Sequence, residues 1–277
     1  MPVQTEASMA HYSLISLQKG TAITVAADTI QVRLDAVEGV NPIECDQDFL
    51  QAVDSGHYFW VSGGGTYLIN GRYLPLVKRS DGATVNPGIY SLFTGRSDSK
   101  AEWLNPLLLV RELFEECILF EGDTRLLPVC PAVQPVIDTV MAKTRFLTRT
   151  AVAVHKEWLI DPVEIAHTTI SVTNNHQTTE RRAFVHCSSR NDINVISLFA
   201  AQADIATLQA LDGEYHMQDD MPVFHNRHIY LYDIVTAQAV LITRHEPRQT
   251  QRIDFSMMSE HCAALIAHVA LTISRTI

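Results

Sequence analysis

Four charged residues stand in the most apolar stretch of the chain, "PLLLVRELFEECILF", at residues 106–120. Three of them are the carboxylates Glu112, Glu115 and Glu116, which an α-helix would place within an arc of about 100°. Like charges this close repel one another unless a cation lies between them. Mg²⁺ prefers carboxylate and water oxygens and keeps positions open for phosphate oxygens. The spacing therefore predicts a metal platform for phosphate chemistry.

The rest of this stretch predicts how such a helix is held. Arg111 lies one turn before Glu115, close enough to pair with it. We expect the helix to begin at about Asn105 or Pro106 and to end near Phe120. Its other side would face a core through Val110, Leu113, Phe114, Cys117 and Ile118. A helix with a merely solvated charged face has the same pattern, so the neighbouring sequence must distinguish the two interpretations.

The residues before the helix carry a resemblance to a known family. Residues 95–119, "GRSDSKAEWLNPLLLVRELFEECIL", resemble the signature of the Nudix hydrolases, in which a glycine precedes the block R-E-U-x-E-E, with U a bulky aliphatic residue. Gly95 matches the glycine, and the block is whole at Arg111, Glu112, Leu113, Glu115 and Glu116. The upstream segment "VNPGIYSLFTG" is similar to the strand and turn that precede this signature.

The sequence departs from the family's pattern in the loop before the helix and at the C-terminal end of the helix. Glu102 lies one residue too far from Arg111, and the segment from Gly95 to Arg111 is two residues longer than the pattern. Ile118 replaces the glycine after the acidic pair. These departures leave open the geometry of the loop before the helix and the role of Glu102.

The resemblance implies a fold and an activity. The fold would be α+β, an α/β/α sandwich with a mixed sheet. Residues 1–55 would form an N-terminal β-rich extension, and residues 56–277 a Nudix-like hydrolase domain with a large insertion at about 121–185. The activity would be Mg²⁺-dependent hydrolysis of the diphosphate linkage in a nucleoside diphosphate derivative, with Mn²⁺ as an alternative ion.

The resemblance also implies roles for individual residues. Glu112, Glu115 and Glu116 would hold the metal, and Arg111 would orient them. The general base varies within the family, and its candidates here are Glu116, Glu102 and Glu214. The expected catalytic set is Arg111, Glu112, Glu116 and Glu102. The expected substrate contacts are Gly95, Arg96, Arg182 and Arg190.

Two other functions remain open from the sequence. A catalytically silent Nudix-like domain would bind a nucleotide and act as a regulatory or interaction module. Ile118 and the altered loop favour that alternative, whereas the intact glutamates favour hydrolysis. An isomerase of the related isoprenoid type would need a catalytic cysteine and a histidine-containing metal set, which the sequence does not let us assign.

Hydrophobic patterns predict the elements that position the helix. Strands are expected at "TAITVAA", "TIQVRLDAV", "RYLPLVKRS", "NVISLFAAQA" and "HIYLYDIV". Helical periodicity covers residues 132–146 and the closing segment "SMMSEHCAALIAHVALTI". Ser62 and the three glycines after it are expected in a hairpin turn.

The amino-acid composition limits which binding partners and which cellular compartment are expected. The formal net charge is −10 and no stripe of Lys or Arg occurs, which argues against non-specific nucleic-acid binding. No apolar stretch approaches the roughly 20 residues that span a bilayer, and no signal peptide is evident. The five scattered cysteines fit a reducing compartment. We expect a cytoplasmic protein that binds a small nucleotide-like substrate, with a homodimer as a further possibility.

Overall fold

The structure is a computed structural model that describes residues 12–17, 23–26, 29–33, 37–43, 58–81, 86–97, 102, 105–144, 155–165, 168–187, 192–211, 214–218, 221–225 and 228–274. Within these residues the chain forms a mixed β-sheet and three α-helices, so the protein is of the α+β class, as predicted. The helices are α1 (Arg111–Glu116), α2 (Gln134–Thr144) and α3 (Glu260–Ser274). Two 3₁₀ turns occupy Pro106–Val110 and Phe255–Met257.

The described strands are numbered in chain order. Those before α1 are β1 (Tyr12–Leu17), β2 (Ile23–Ala26), β3 (Thr29–Arg33), β4 (Val37–Ile43), β5 (Tyr58–Ile69), β6 (Tyr73–Lys78), β7 (Tyr90–Ser91) and β8 (Phe93–Arg96). Those between α1 and α3 are β9 (Leu119–Glu121), β10 (Thr124–Val129), β11 (His155–Pro162), β12 (Thr168–Asn174), β13 (Gln177–Cys187), β14 (Asp192–Ala201), β15 (Leu208–Ala210), β16 (Glu214–Gln218), β17 (Met221–His225), β18 (His228–Asp233), β19 (Gln238–Leu241) and β20 (Thr250–Arg252).

The centre of the sheet is a parallel pair formed by β5 and β14, in register from Trp60 opposite Asp192 to Ile69 opposite Ala201. Strands β8 and β6 pair antiparallel with β5, and β18 extends the sheet beyond β6. On the other edge, β14 pairs antiparallel with β11 and β13. Parallel and antiparallel pairs thus occur together in one sheet, which has two faces to cover.

Helices cover both faces, because successive strand residues point to opposite sides. On β5, Tyr67 and Ile69 join one hydrophobic core, whereas Leu68 joins the other. The first core is completed from α1 and α2 by Leu113, Phe114, Ile137 and Val140. The second is completed from α3 by Cys262, Leu265, Ile266 and Val269.

The N-terminal strands are joined to the rest by backbone pairing. Strand β1 pairs with β4 and, at Ile15 and Ser16, with the start of β5. Strand β3 pairs parallel with β12, which lies within the predicted insertion. The strands of the predicted extension therefore continue the sheets of the remaining chain.

Several predicted elements are confirmed, namely β2, β3, β6, β14, β18, α2 and α3. The predicted helix of residues 105–120 is wrong in type and extent. It begins as a 3₁₀ turn, and α1 ends at Glu116 because Cys117 leaves the helical conformation at φ −109 and ψ 75. The apolar residues that follow form β9, which pairs with β10 and β15.

The predicted hairpin turn at Ser62 and its three glycines is also wrong. Gly63, Gly64 and Gly65 lie in the middle of β5, between β8 and β14. In the part of the chain that the structure describes, no helix is long and apolar enough to cross a membrane.

Candidate functional site

The glycines of β5 let the charged helix lie directly on the central strand. A Cβ atom on Gly63 would be 2.7 Å from the carbonyl oxygen of Val195 and 3.0 Å from Cβ of Leu109. A Cβ atom on Gly65 would be 3.4 Å from Cδ2 of Leu113. A side chain at Gly63 would therefore push the 3₁₀ turn away from the sheet, and α1 with it.

Gly95 makes room for one of the carboxylates. It lies on β8 directly opposite Gly63, on the face that α1 covers. A Cβ atom on Gly95 would overlap the carboxyl carbon and both oxygens of Glu112. The predicted site residue Gly95 thus acts through Glu112, which is itself buried.

Arg111 ties three carboxylates together. Its Nε donates a hydrogen bond to Oε1 of Glu102 at 2.8 Å. Its Nη1 donates to Oε1 of Glu112, and to Oε2 of Glu115 at 3.4 Å. Burial alone would lower the pKa of Arg111, but the charge of Glu112 and the bond to Glu102 raise that pKa above its ordinary value. Arg111 therefore remains charged. Glu102 contacts this arginine even though its spacing in the sequence departs from the family's pattern.

A second cation reaches the cluster from α2. Nζ of Lys143 lies 3.4 Å from Oε1 of Glu115, whose other oxygen faces Arg111. Lys143 is not predicted from the sequence, because nothing in the spacing of residues 115 and 143 indicates that they meet. The only local signal is a basic residue in the last turn of α2.

The last carboxylate of the block, Glu116, is buried at the end of α1. Burial raises the pKa of the neighbouring Cys117 thiol, and the charge of Glu116 raises it further. The backbone of β16 runs beside α1, and Glu214 is the first residue of that strand. Two of the three proposed bases, Glu116 and Glu214, therefore belong to elements in contact with each other.

Two buried polar atoms belong to residues that stand on either side of positions 98–104, Ser97 and Asn105. The hydroxyl of Ser97 is buried and has no hydrogen-bond partner among the described residues. Ser97 continues β8 and follows Gly95 by two residues, so it faces the same side of the strand. Within the same described residues, Oδ1 of Asn105 is also buried without a partner. A polar ligand beside Ser97 and Asn105 would satisfy groups of this kind.

The predicted substrate residues are dispersed. Arg96 pairs with Ser62 on β5, so its side chain starts from the face of β8 opposite to Gly95. Arg182 is exposed on the part of β13 that pairs with β12. Arg190 lies outside the described residues. Of this predicted set, Gly95 is the residue that lies against the carboxylates.

The cluster contains the type of donor atom that a divalent cation prefers. Glu102, Glu112 and Glu115 contact the cations Arg111 or Lys143, and Glu116 is buried at the end of the same helix. Carboxylate oxygens are the donors that Mg²⁺ prefers. In the described ranges, no three His, Cys, Asp or Glu side chains are arranged to hold a metal ion. An ion bound to Glu115 would share that carboxylate with Arg111 and Lys143.

No protein-family model matches the chain, and no curated protein sequence matches it. The function of the cluster therefore has to be inferred from its chemistry: a partly buried arginine, four carboxylates and a helix packed on a glycine-rich strand.

Proposed function

We propose that the protein is a Mg²⁺-dependent hydrolase that cleaves the diphosphate linkage of a nucleoside diphosphate derivative on a Nudix-type α/β/α fold. The observation that carries this proposal is the binding of Arg111 to Glu102, Glu112 and Glu115 at the start of α1. An arginine that holds several carboxylates of one helix in place is the arrangement expected where they must present their remaining oxygens to a cation.

The positions of the surrounding elements support the fold. The helix follows β8 and lies against the parallel pair β5 and β14, while α3 covers the opposite face. The glycine expected before the helix is Gly95, and its missing side chain is what admits Glu112. Helix α2 belongs to the proposed insertion and packs on the same side of the sheet as α1.

The proposed chemistry divides among the residues of the cluster. Glu112, Glu115 and Glu116 would hold Mg²⁺, or Mn²⁺ in its place. When bound, the ion supplies charge neutralisation for the diphosphate and a lowered pKa for a coordinated water. Arg111 fixes the orientation of Glu112 and Glu115, so less reorganisation is needed during the reaction.

Glu116 is our choice for the general base that takes a proton from the attacking water. Glu102 is the weaker candidate, because its Oε1 already accepts the hydrogen bond from Nε of Arg111. Glu102 instead acts as a positioning residue for Arg111. Glu214 stays a candidate through the place of its strand beside α1.

The second candidate function is a catalytically silent domain that binds a nucleotide. Two observations favour it: Lys143 and Arg111 already neutralise Glu115, and Ile118 stands where the family has glycine. Such a domain would bind a nucleoside diphosphate derivative without hydrolysing it.

One assay separates the two functions. The purified protein is incubated with Mg²⁺ and ADP-ribose, nucleotide sugars, dinucleoside polyphosphates, NADH or nucleoside triphosphates, and ³¹P NMR detects the products. Hydrolysis predicts release of a nucleoside monophosphate by the wild type and its loss in Glu116→Gln. Glu121→Gln is the control, since Glu121 lies on β9 and pairs with Lys156 outside the cluster. Tight binding of one compound without turnover supports the silent domain.

A further inference from the structure

Ser97, directly after β8, carries a hydroxyl that makes no hydrogen bond with any described residue. The residue is only 1% exposed, so bulk water does not satisfy this hydroxyl. Its backbone N–H donates to the carbonyl oxygen of Val61 at 2.9 Å, which continues the pairing of β8 with β5. A buried polar group without a partner costs free energy. The stability of the strand therefore does not explain a serine at this position.

Asn105 carries a second buried oxygen without a partner in the described part of the chain. It stands directly before the 3₁₀ turn Pro106–Val110. Asparagine at the start of a helical segment commonly uses Oδ1 to accept a hydrogen bond from a backbone N–H group. The Asn105 side chain makes no such capping bond. Capping therefore does not account for Asn105.

The direction of the helical segment shows where Asn105 lies. Leu109 stands over Gly63 and Leu113 stands over Gly65, because Cβ atoms on these glycines would be 3.0 Å and 3.4 Å from the two leucines. The segment therefore runs in the same direction as β5. Residues that precede Leu109 lie toward the start of β5, and Asn105 is one of them.

Ser97 lies at the same end of the sheet. Strand β8 is antiparallel to β5 with Gly95 opposite Gly63, and Ser97 bonds to Val61, which is nearer the start of β5. Side chains two residues apart on a strand share a face, so Ser97 faces the side on which Glu112 fills the space beside Gly95. Ser97 therefore begins about 7 Å from the carboxyl group of Glu112, the span of two strand residues.

The two oxygens require different things of a ligand. An amide oxygen only accepts hydrogen bonds, whereas a serine hydroxyl both donates and accepts. An ionised phosphate oxygen also only accepts, so phosphate would satisfy Ser97 and leave Oδ1 of Asn105 without a partner. A sugar hydroxyl donates and accepts, and it therefore suits both residues. The vicinal diol of ribose presents two such hydroxyls side by side.

We propose that Ser97 and Asn105 form a subsite for the ribose hydroxyls of the substrate, beside the carboxylate of Glu112. Oδ1 of Asn105 accepts a hydrogen bond from one hydroxyl, and Ser97 bonds to the same hydroxyl or to its neighbour. Neither contact involves a metal ion. The inference rests on the proposed function in one respect, because the choice of ribose among hydroxylated ligands assumes a nucleoside diphosphate derivative.

Calorimetry with a hydrolysis-resistant nucleotide tests the subsite without turnover. The probes are the α,β-methylene analogue of ADP and its 2′-deoxy and 3′-deoxy forms, each added with Mg²⁺. The variants are Ser97→Ala and Asn105→Ala. The matched control is Ser91→Ala, since Ser91 is also buried but its hydroxyl lies 3.1 Å from Oγ of Ser259 and 3.1 Å from Nε2 of His261.

We expect the wild type to bind the ribose probe about tenfold more tightly than at least one deoxy probe, because the missing hydroxyl leaves a buried group without its hydrogen bond. In Ser97→Ala and in Asn105→Ala this preference should shrink to about threefold or less. The shrinkage should come from weaker binding of the ribose probe. Ser91→Ala should keep the wild-type preference.

Urea denaturation of the ligand-free protein separates a binding role of Ser97 from a structural one. Ser97→Ala removes a hydroxyl that has no partner among the described residues, so the urea midpoint should stay unchanged or rise. Ser91→Ala should lower the midpoint, because Ser259 and His261 lose a partner. A lower midpoint in Ser97→Ala would mean that its hydroxyl is bonded within the folded chain or to a structural water, and the inference would be wrong.

Failure of this inference is separable from failure of the proposed function. Equal affinity of the wild type for all three probes would mean that ribose is not recognised, and the proposed function would stand without the subsite. An equal loss of affinity for all three probes in Ser97→Ala would also overturn the inference. If the wild type binds none of the probes, the inference is wrong, and the hydrolysis assay alone then decides the proposed function.

Discussion

Gly95 on β8 lies so close to the carboxyl group of Glu112 on α1 that a side chain at the first position would occupy the space of the second. Gly95 has no positive φ among the described backbone angles, so a side chain there would conflict with the carboxyl group of Glu112 and not with the backbone conformation. The absence of a side chain at Gly95 thus makes room for the carboxyl group of Glu112, the first glutamate of the acidic block.

We predict that Gly95→Ala displaces Glu112 from its place beside Arg111. The free energy of unfolding should fall by about 1–3 kcal/mol, as is typical of overpacking. Mn²⁺ affinity should fall by about tenfold, which corresponds to ~1.4 kcal/mol for a lost carboxylate contact. Urea denaturation and Mn²⁺ titration measure the two effects.

Gly122→Ala is the control for this prediction. Gly122 has a φ of 58°, and no atom lies within 4 Å of the position that its Cβ would take, so alanine there strains the turn without touching the cluster. In a Glu112→Ala background, Gly95→Ala should cost much less than in the wild type. Equal costs in the two backgrounds would contradict the steric coupling of Gly95 and Glu112.

Glu102 and Arg111 should behave as one unit in catalysis. Glu102→Gln removes a charge from the 2.8 Å bond to Arg111, and Arg111→Lys removes the fork that spans Glu102, Glu112 and Glu115. We expect each substitution to lower kcat by about tenfold and the double variant to be little worse than either single one. Multiplicative losses would mean that Glu102 acts independently, for example as the base.

The stability of the protein should depend on pH through His261 on α3. Nε2 of His261 lies 3.1 Å from Oγ of Ser91 and 3.2 Å from Oγ of Ser259. Burial, together with the charges of His186 and Arg79, lowers the pKa of His261 from the ordinary 6.5 to about 3. The folded state therefore excludes a proton that the unfolded state binds. The contribution of neutral His261 to the free energy of unfolding is therefore fully present above pH 6.5. It falls by up to about 1.4 kcal/mol per pH unit between pH 6.5 and pH 3.

Urea denaturation at a series of pH values measures this slope. His261→Gln should flatten the pH dependence between about pH 6.5 and pH 4, because glutamine does not titrate. The exposed His155 provides the control, and His155→Gln should keep the wild-type slope. An unchanged slope in His261→Gln would place the titrating group elsewhere.

Asp233 should act in a lower pH range. It accepts hydrogen bonds from Arg72, from the hydroxyl of Thr236 and from the backbone N–H of Val235. The bond from Arg72 is the main cause that lowers the pKa of Asp233 from 3.8 to about 2. Its contribution is present above pH 3.8 and is lost as pH falls to about 2.

Asp233→Asn tests this contribution by urea denaturation. The free energy of unfolding at neutral pH should fall by about 1 kcal/mol, because solvent around the half-exposed Arg72 screens the pair. The variant and the wild type should converge in stability as the pH approaches 2. No loss at neutral pH would contradict a stabilising role for the bonds to Asp233.

The spacing of apolar residues was sufficient to predict the helices and strands whose apolar side chains face a hydrophobic core. Strands β14 and β18 and helices α2 and α3 were predicted from apolar spacing. The contact of Arg111 with Glu115 was predicted as well, because residues four apart meet on a helix. Such features depend on neighbouring residues in the sequence.

Features that depend on distant residues could not be predicted. The glycines of β5 were predicted as a turn because the reason for them, the close approach of Leu109 and Leu113, lies far away in the sequence. The early end of α1 follows from pairing of β9 with β10 and β15. The contact of Lys143 with Glu115 depends on the anchoring of α2 by Arg125.

The most direct test of the central claim is the rate of diphosphate cleavage as a function of Mg²⁺ concentration, for the wild type and Glu116→Gln. The compound is the best substrate found among the nucleoside diphosphate derivatives. We predict a wild-type rate that rises with Mg²⁺ to saturation and a rate about 10²–10³-fold lower for the variant. A rate that is independent of Mg²⁺, or equal in the two proteins, would contradict hydrolysis by the carboxylates of α1.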